Sequence, residues 1–377
     1  MIRPLVAAGP DTGPKAETLG RLLNAGLPVP PGIVIPFGLY GEDLGTAGGA
    51  GAALAAALVE VGDGPYAVRS SASGEDTAGA SGAGQYASYL AVPQWELARR
   101  IVDCWASLSS PRAVAYRRGA DAQMAVIVQQ HVDADVAGVL FTGDPTVVEA
   151  SWGLGESVVS GLVTPDAFTI ARSGITRRLG TKQTRRDRTR TTQVPPESRD
   201  RFCLTDTQLR TLHDLARAVV GLLGTPQDIE FAFANNHLWL LQSRPITTPL
   251  NAERPGRPEA AAILRGTPGG PEAGAILRGT PGSPGVATGP ARCVRGPDDF
   301  SRVRAGDILV CRFTDPAWTP LFGVIGGIVT ETGGRLSHAA IVAREHRIPA
   351  VLGVPDALAV LADDTITTID GSAGTIS

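Results

Sequence analysis

The 377-residue sequence has only four cysteines, Cys104, Cys203, Cys293 and Cys311, and no two of them form a CxxC pair. That scatter excludes a zinc ribbon or a disulfide framework as the organising device. Four free buried thiols are expected instead, which suits a reducing cytoplasm. No apolar run reaches membrane-spanning length. The N-terminus, MIRPLVAAGPDTGPKAE, lacks the apolar stretch of a signal peptide. A cytoplasmic protein without a membrane partner is therefore expected. A formal charge of −3 gives no electrostatic footprint for nucleic acid. Lysine is scarce beside arginine, and there are five histidines. What is plentiful is glycine (46) and proline (29), within a hydrophobic content of 43%. The length exceeds one small domain, so at least two are expected.

Three regions differ in character. Residues 1–250 mix helix-like and strand-like segments, with AGGAGAALAAALVEVG (47–62) reading as a surface helix. YAVRSS, AVIVQQHV and GVLFTGDP read as short buried strands ended by turn residues. The basic run RRLGTKQTRRDRTR (177–190) reads as a solvated loop, part of which a triphosphate could use. Residues 251–282 are rich in Pro, Gly, Ala and Glu, and they repeat: PEAAAILRGTPGG (258–270) is followed by PEAGAILRGTPGS (271–283). Two copies are too few for a solenoid. A linker is expected, and about 30 flexible residues reach roughly 30 Å. Residues 283–377 alternate strand-like GDILVC, GGIVTE, PAVLGV and TITTID with helix-like SHAAIVARE, the pattern of an α/β unit with parallel pairing.

Within the last region, TETGGRLSHAAIVARE (330–345) places His338 just inside a helix start, with Ser337 as a good N-cap residue. Unpaired helix amides, Gly333 and Gly334 for close approach, and the charge of Arg335 make an anion-binding setting. A neutral imidazole is also a nucleophile. Phosphoryl acceptance fits this combination, and so does a histidine that merely packs at a turn. Metal ligation does not fit, because no second ligand stands at suitable spacing on the same helix face.

The segment TDPAWTPLFGVIGGIVTETGGRLSHAAIVAREHRIPAVLGV (314–354) resembles the mobile phosphohistidine domain of the phosphoenolpyruvate-utilising family. That family includes phosphoenolpyruvate synthase, pyruvate phosphate dikinase and rifampin phosphotransferase. LRGTPGSPGVATGPARCV (277–294) resembles the opening of the same domain. One departure is Arg347, where these enzymes usually have Gly before Ile-Pro. Five segments of the N-terminal half resemble the family's ATP-grasp-like nucleotide-binding domain: 13–35, 66–92, 125–145, 149–168 and 226–247. The resemblance implies an α/β (α+β) protein: an ATP-grasp-like domain (1–250), the linker (251–282) and a small swivelling β/α phosphohistidine domain (283–377).

The residues themselves are compatible with that chemistry. Lys15, in Gly-Pro-Lys before an apolar helical run, can neutralise phosphate or simply be solvated. Arg69, among the apolar residues of AVRSS, needs an anion: a ligand or a structural partner. DIEFAF and LWLLQS flank Asn235, Asn236 and His237. If those three form a hairpin loop, Glu230 falls opposite Gln242 and Phe231, Phe233, Trp239 and Leu241 share the core face. A two-residue Asn-Asn turn would separate Glu230 and Gln242 to opposite faces. A carboxylate beside an amide oxygen suits Mg²⁺, which keeps positions for water and phosphates, though the pair also fits an ordinary half-exposed hairpin.

What the resemblance adds is a set of roles. His338 would carry the phosphoryl group. Lys15, Arg69 and Arg244 would bind the triphosphate of ATP, Glu230 and Gln242 would hold Mg²⁺, and Gly84 and Ser88 would cover the phosphates. Ser88 stands where Thr is common. Gln129 and Val132 would frame the adenine, with His131 replacing a usual Met between them, and Lys182 is a further nucleotide candidate. The β-phosphoryl would end on histidine, releasing AMP and phosphate. Long members carry a third, acceptor-binding domain that is not seen in this sequence. Three readings follow: a phosphotransferase acting on a small-molecule acceptor, one subunit of a split synthase or dikinase whose acceptor domain lies on another chain, or a phosphocarrier or regulatory module without turnover of its own.

Overall fold

The computed structural model describes residues 1–45, 48–75, 85–117, 120–248, 250 and 276–377. The chain divides into two compact units, Met1–Ile246 and Thr247–Ser377.

The first unit is built on two antiparallel sheets. One has five strands in the order Arg3–Pro4, Gly32–Ile35, Met124–Gln130, Tyr66–Ala72, Ser88–Val92. The other has six, in the order His237–Pro245, Gln227–Ala234, Val136–Phe141, Thr146–Trp152, Asp166–Ala171, Gly174–Arg178. Met124–Gln130 shows why its sequence is a continuous apolar run: both of its faces are covered. Met124, Val126 and Val128 pack in one core, with Leu54 and Leu58 of the helix Gly49–Val61 and Ile101 of Leu97–Ala106. Ala125 and Ile127 pack in the other, with Leu19 and Leu22 of Gly13–Asn24 and Leu212 of Asp206–Leu223.

The basic run is not a loop. Gly174–Arg178 closes the six-stranded sheet, and Thr184–Arg186 pairs with Thr191–Gln193. Four of its six arginines stand in ion pairs: Arg177 with Asp206, Arg185 with Asp187, Arg186 with Glu156 and Arg188 with Asp133. Such partners are distant in sequence except for Asp187, so the run alone does not reveal them.

The second unit is an eight-stranded sheet whose central strands, Val286–Cys293, Ile308–Cys311, Gly327–Thr330 and Ala350–Leu352, pair in parallel. Antiparallel strands flank them, including Ile366–Asp370 and Thr280–Ser283. The helix His338–His346 is the crossover from Gly327–Thr330 to Ala350–Leu352. The expected linker ends earlier than its composition suggests. Leu277–Arg278 and Thr280–Ser283, the close of the second repeat copy, are strands of this sheet, because the TPGS stretch finds a partner in Ala350–Leu352. The first repeat copy lies outside the described residues.

Arg347 caps the crossover helix with φ 57° and ψ 37°. A side chain in this left-handed region pays for Cβ crowding against the next carbonyl, which gives glycine the advantage there. Arg347 is also exposed, so few contacts depend on it. Arg347→Gly is expected to stabilise the second unit by about 1 kcal/mol, read as a rise of roughly 4 °C in its melting temperature by calorimetry.

Candidate functional site

In the second unit His338 stands beyond the carboxyl ends of adjacent parallel strands, the edge of an α/β sheet where ligands are commonly held. Gly333 turns the chain with φ +106°. Ser337 occupies the N-cap position, but its hydroxyl donates to the Gly334 carbonyl at 2.8 Å instead of capping the helix. The first amide to bond back within the helix is that of Ile341, to the Ser337 carbonyl. The amides of His338, Ala339 and Ala340 precede it at the positive end of the helix. His338 is 5% exposed. Its Nδ1 lies 3.0 Å from the hydroxyl of Thr314, which follows the strand Ile308–Cys311. Phe322 stands edge-on to the ring at 6.3 Å and 88°. When Nδ1–H donates to Thr314, the lone pair resides on Nε2.

In the first unit, the hairpin reaches the expected pairing by an unexpected route. Asn235 and Asn236, with φ 49° and 60°, form a two-residue turn and Ala234 pairs with His237. That turn alone would separate Glu230 from Gln242. A bulge intervenes: Phe231 pairs with Leu240 and Glu230 with Gln242, so Leu241 is the extra residue. The core face is consequently Phe231, Phe233, Leu238 and Leu240. Trp239 and Leu241 are only partly buried, in place of the core positions a three-residue loop would give them. The bulged Leu241 carbonyl accepts from Arg69 Nη1 at 2.5 Å, while Arg69 Nη2 lies 3.1 Å from Glu230 Oε2.

The five-stranded sheet collects the other candidates. Ala67 pairs with Gln129, and Arg69 with Ile127 and Ser88, so Arg69, Ser88 and Gln129 share one face. The helix Gly13–Asn24 packs on that face through the Ala16 amide, which donates to Ser71 Oγ. Gly13 is required there, since a Cβ would lie 2.5 Å from the Ser71 carbonyl oxygen. This docking brings in Lys15, whose Nζ is 2.6 Å from Glu75 Oε1. Arg244 Nε donates to Asp228 Oδ2 at 2.8 Å, and its Nη2 lies 2.8 Å from the same oxygen. Asp228 and Glu230 lie two apart on one strand face, opposite Arg244 and Gln242. Gln129 is buried and donates to the Pro30 carbonyl at 3.0 Å, and Val132 is partly buried. Gly84 lies outside the described residues.

Two further residues have buried ionic surroundings. Lys182 is 1% exposed, bonded to Asp166 Oδ1 at 2.5 Å and to the Arg199 carbonyl at 3.3 Å. Asp166 also accepts from the amides of Gly180 and Cys203. A lysine enclosed in this way ties Asp166 into the fold. His131 has a buried ring 3.4 Å from Asp133, which Arg188 also engages. Desolvation lowers its pKa, against the opposing effect of Asp133. Glu75, Asp228 and Thr314 were not singled out by the sequence. The Asp-x-Glu spacing opposite Gln-x-Arg was the one available signal. The four cysteines are buried as expected, with burial pushing the Cys104 thiol up to about 12. No helix among the described residues is long and apolar enough to cross a membrane. Among those residues no group of three or more His, Cys, Asp or Glu could hold a metal, so a cation here would need its shell completed by ligand oxygens.

The first unit thus gathers cations and carboxylates, and the second, separate α/β unit carries a helix-start histidine. Residues 50–262 match the pyruvate phosphate dikinase AMP/ATP-binding domain, and residues 303–374 the mobile domain of PEP-utilising enzymes. A probable phosphoenolpyruvate synthase of Archaeoglobus fulgidus is 36% identical over 329 residues, covering 82% of this chain and 43% of that protein. One from Methanothermobacter thermautotrophicus is 33% identical over 427 residues, covering 97% of this chain and 61% of that protein. The prodigiosin synthesizing transferase PigC of Serratia marcescens is 39% identical over 279 residues, covering 63% of this chain and 31% of that protein. The chain belongs to the phosphoenolpyruvate-utilising, pyruvate phosphate dikinase-like family of phosphotransferases. It carries that family's ATP-grasp-like ATP-binding domain and its mobile domain, and it spans about half the length of these synthases.

Removing one partner of the buried Lys182–Asp166 pair leaves a charge uncompensated. Lys182→Met is expected to cost about 3 kcal/mol of stability, measured by urea unfolding of the full chain. An unchanged midpoint would contradict the structural role.

Proposed function

We propose that the chain is a dikinase-type phosphotransferase in which ATP, bound by the 1–246 unit, phosphorylates His338, and His338 then passes the group to a small-molecule acceptor. Its β-phosphoryl goes to Nε2 of the imidazole, the γ-phosphoryl goes to water as phosphate, and AMP leaves. The observation that carries this reading is the Thr314–His338 contact at 3.0 Å. It fixes the ring and, with the proton on Nδ1, directs the other nitrogen's lone pair to the attack. The helix-start amides are placed to hold phosphoryl oxygens.

Lys15, Arg69 and Arg244 serve the triphosphate in this reading, with Ser88 beside Arg69. Catalysis of phosphoryl transfer consists largely of such positioning and charge compensation. Glu230 and Gln242, directly opposed on the hairpin, offer a carboxylate and an amide oxygen on one face, a donor set that fits Mg²⁺. Bound there, the ion would offset negative charge on the phosphates. Gln129 and Val132 frame the base. Delivery takes place as the small unit, tethered to the larger one, carries the group from donor to acceptor.

Relatives named for phosphoenolpyruvate synthesis and for prodigiosin synthesis both match this chain, so the acceptor is assigned only as a small molecule. A second reading differs in where the acceptor is bound. In it a separate polypeptide supplies the acceptor site, and the cytoplasmic chain described here is the ATP and phosphohistidine subunit.

Incubation with ATP labelled at the β-phosphate should label the wild-type chain and leave His338→Ala unlabelled; equal labelling of the two would refute the assignment. Nucleotide analysis should find AMP, and ADP as the sole product would remove the dikinase reading. Thr314→Val should slow labelling roughly tenfold, the worth of a hydrogen bond of about 1–1.5 kcal/mol, while leaving ATP affinity unchanged by equilibrium binding.

A further inference from the structure

Arg344 is 8% exposed, six residues beyond His338 on the same helix. A buried guanidinium needs strong acceptors, since its charge resists removal from water. Two of its acceptors are main-chain carbonyls from separate segments. Nη1 donates to the carbonyl of Gly282 at 2.8 Å and to that of Arg335 at 2.9 Å.

Both carbonyls are placed for this. Thr280–Ser283 pairs with Ala350–Leu352 through a shifted register, Pro281 with Val351 and Ser283 with Ala350, so Gly282 is the extra residue of a bulge. A bulged residue is left out of the ladder, and its carbonyl is free to turn elsewhere. The strand approaches closely because Gly282 has no side chain, as a Cβ would come within 2.8 Å of the Leu352 side chain. The Arg335 carbonyl belongs to the turn that feeds His338 into its helix, three residues before it. Around it the turn is tied down at other points: Gly334 accepts from the Ser337 amide and hydroxyl, and Thr332 donates to the Arg312 carbonyl. One nitrogen therefore joins the helix that carries His338, the turn that presents it and the neighbouring edge strand. The turn cannot slide relative to the helix without breaking that junction.

We propose that Arg344 is a positioning residue for phosphoryl acceptance: by clamping the carbonyls of Gly282 and Arg335 it fixes the turn 333–337, and so holds the His338 ring against Thr314. The proposal rests on the reading of His338 as the acceptor. It acts through backbone, so its effect falls on the histidine and not on nucleotide binding. Lysine can keep part of the clamp, with a shorter reach and a point charge in place of the planar fork. Methionine keeps the bulk of the stem and none of the donors.

The test compares Arg344→Met and Arg344→Lys with wild type in the full chain. Three quantities are read: the single-turnover rate of His338 labelling from β-labelled ATP with Mg²⁺, the dissociation constant for the same nucleotide, and the tautomer of His338 by ¹⁵N NMR of histidine-labelled protein. Melting temperatures confirm that each variant is folded at the assay temperature. Expected are a labelling rate at least roughly tenfold lower in Arg344→Met, an intermediate rate in Arg344→Lys, an unchanged dissociation constant, and loss of the single tautomer seen in wild type. A folded Arg344→Met with wild-type rate and tautomer overturns the proposal. Should that variant fail to fold, Arg344→Lys decides, and a wild-type rate and tautomer there overturn it equally. The tautomer measurement needs no phosphorylation. A wild-type chain that never labels therefore refutes the acceptor reading, while the NMR comparison still decides whether Arg344 sets the ring.

Discussion

Charge kept in opposed pairs governs this molecule. Lys15 rests on Glu75, Arg69 on Glu230 and Arg244 on Asp228. These cations sit in partly or wholly dry surroundings, where an isolated charge would be very costly. Carboxylates of the same unit make them tolerable there. These pairs also bind the architecture together, because Arg69 joins the five-stranded sheet to the hairpin of the six-stranded one. The site and the scaffold are held by the same bonds.

Much of this was readable in the residues, for identifiable reasons. The alternation in 283–377 gave the parallel sheet, since strand and helix periods differ and each segment was bounded by turn residues. The helix start at His338 followed from Ser337 and the glycines before it. The family resemblance then supplied roles that spacing could not: nothing in the local pattern around Lys15 or Arg69 separates a phosphate ligand from a structural ion pair.

The opposition of Glu230 and Gln242 was anticipated, but through a loop that does not exist. A two-residue turn and a bulge at Leu241 produce the same pairing as a three-residue loop, and a bulge leaves no signature in a strand of alternating residues. The core face shifted accordingly, to Leu238 and Leu240. The enclosure of Lys182 was equally invisible. Its partner Asp166 is 16 residues away, and Lys182 itself sits in a basic run that looks exposed. Distant pairing of this kind depends on the sheet being assembled first.

The strand Met124–Gln130 has a further consequence. Met124, Val126 and Val128 belong to one apolar cluster and Ala125 and Ile127 to the other. Neither cluster can melt while this strand stays in place, and neither can survive its departure. The larger unit should therefore lose both halves of its interior in one cooperative transition, leaving no intermediate in which the ATP-binding face persists on a half-denatured support.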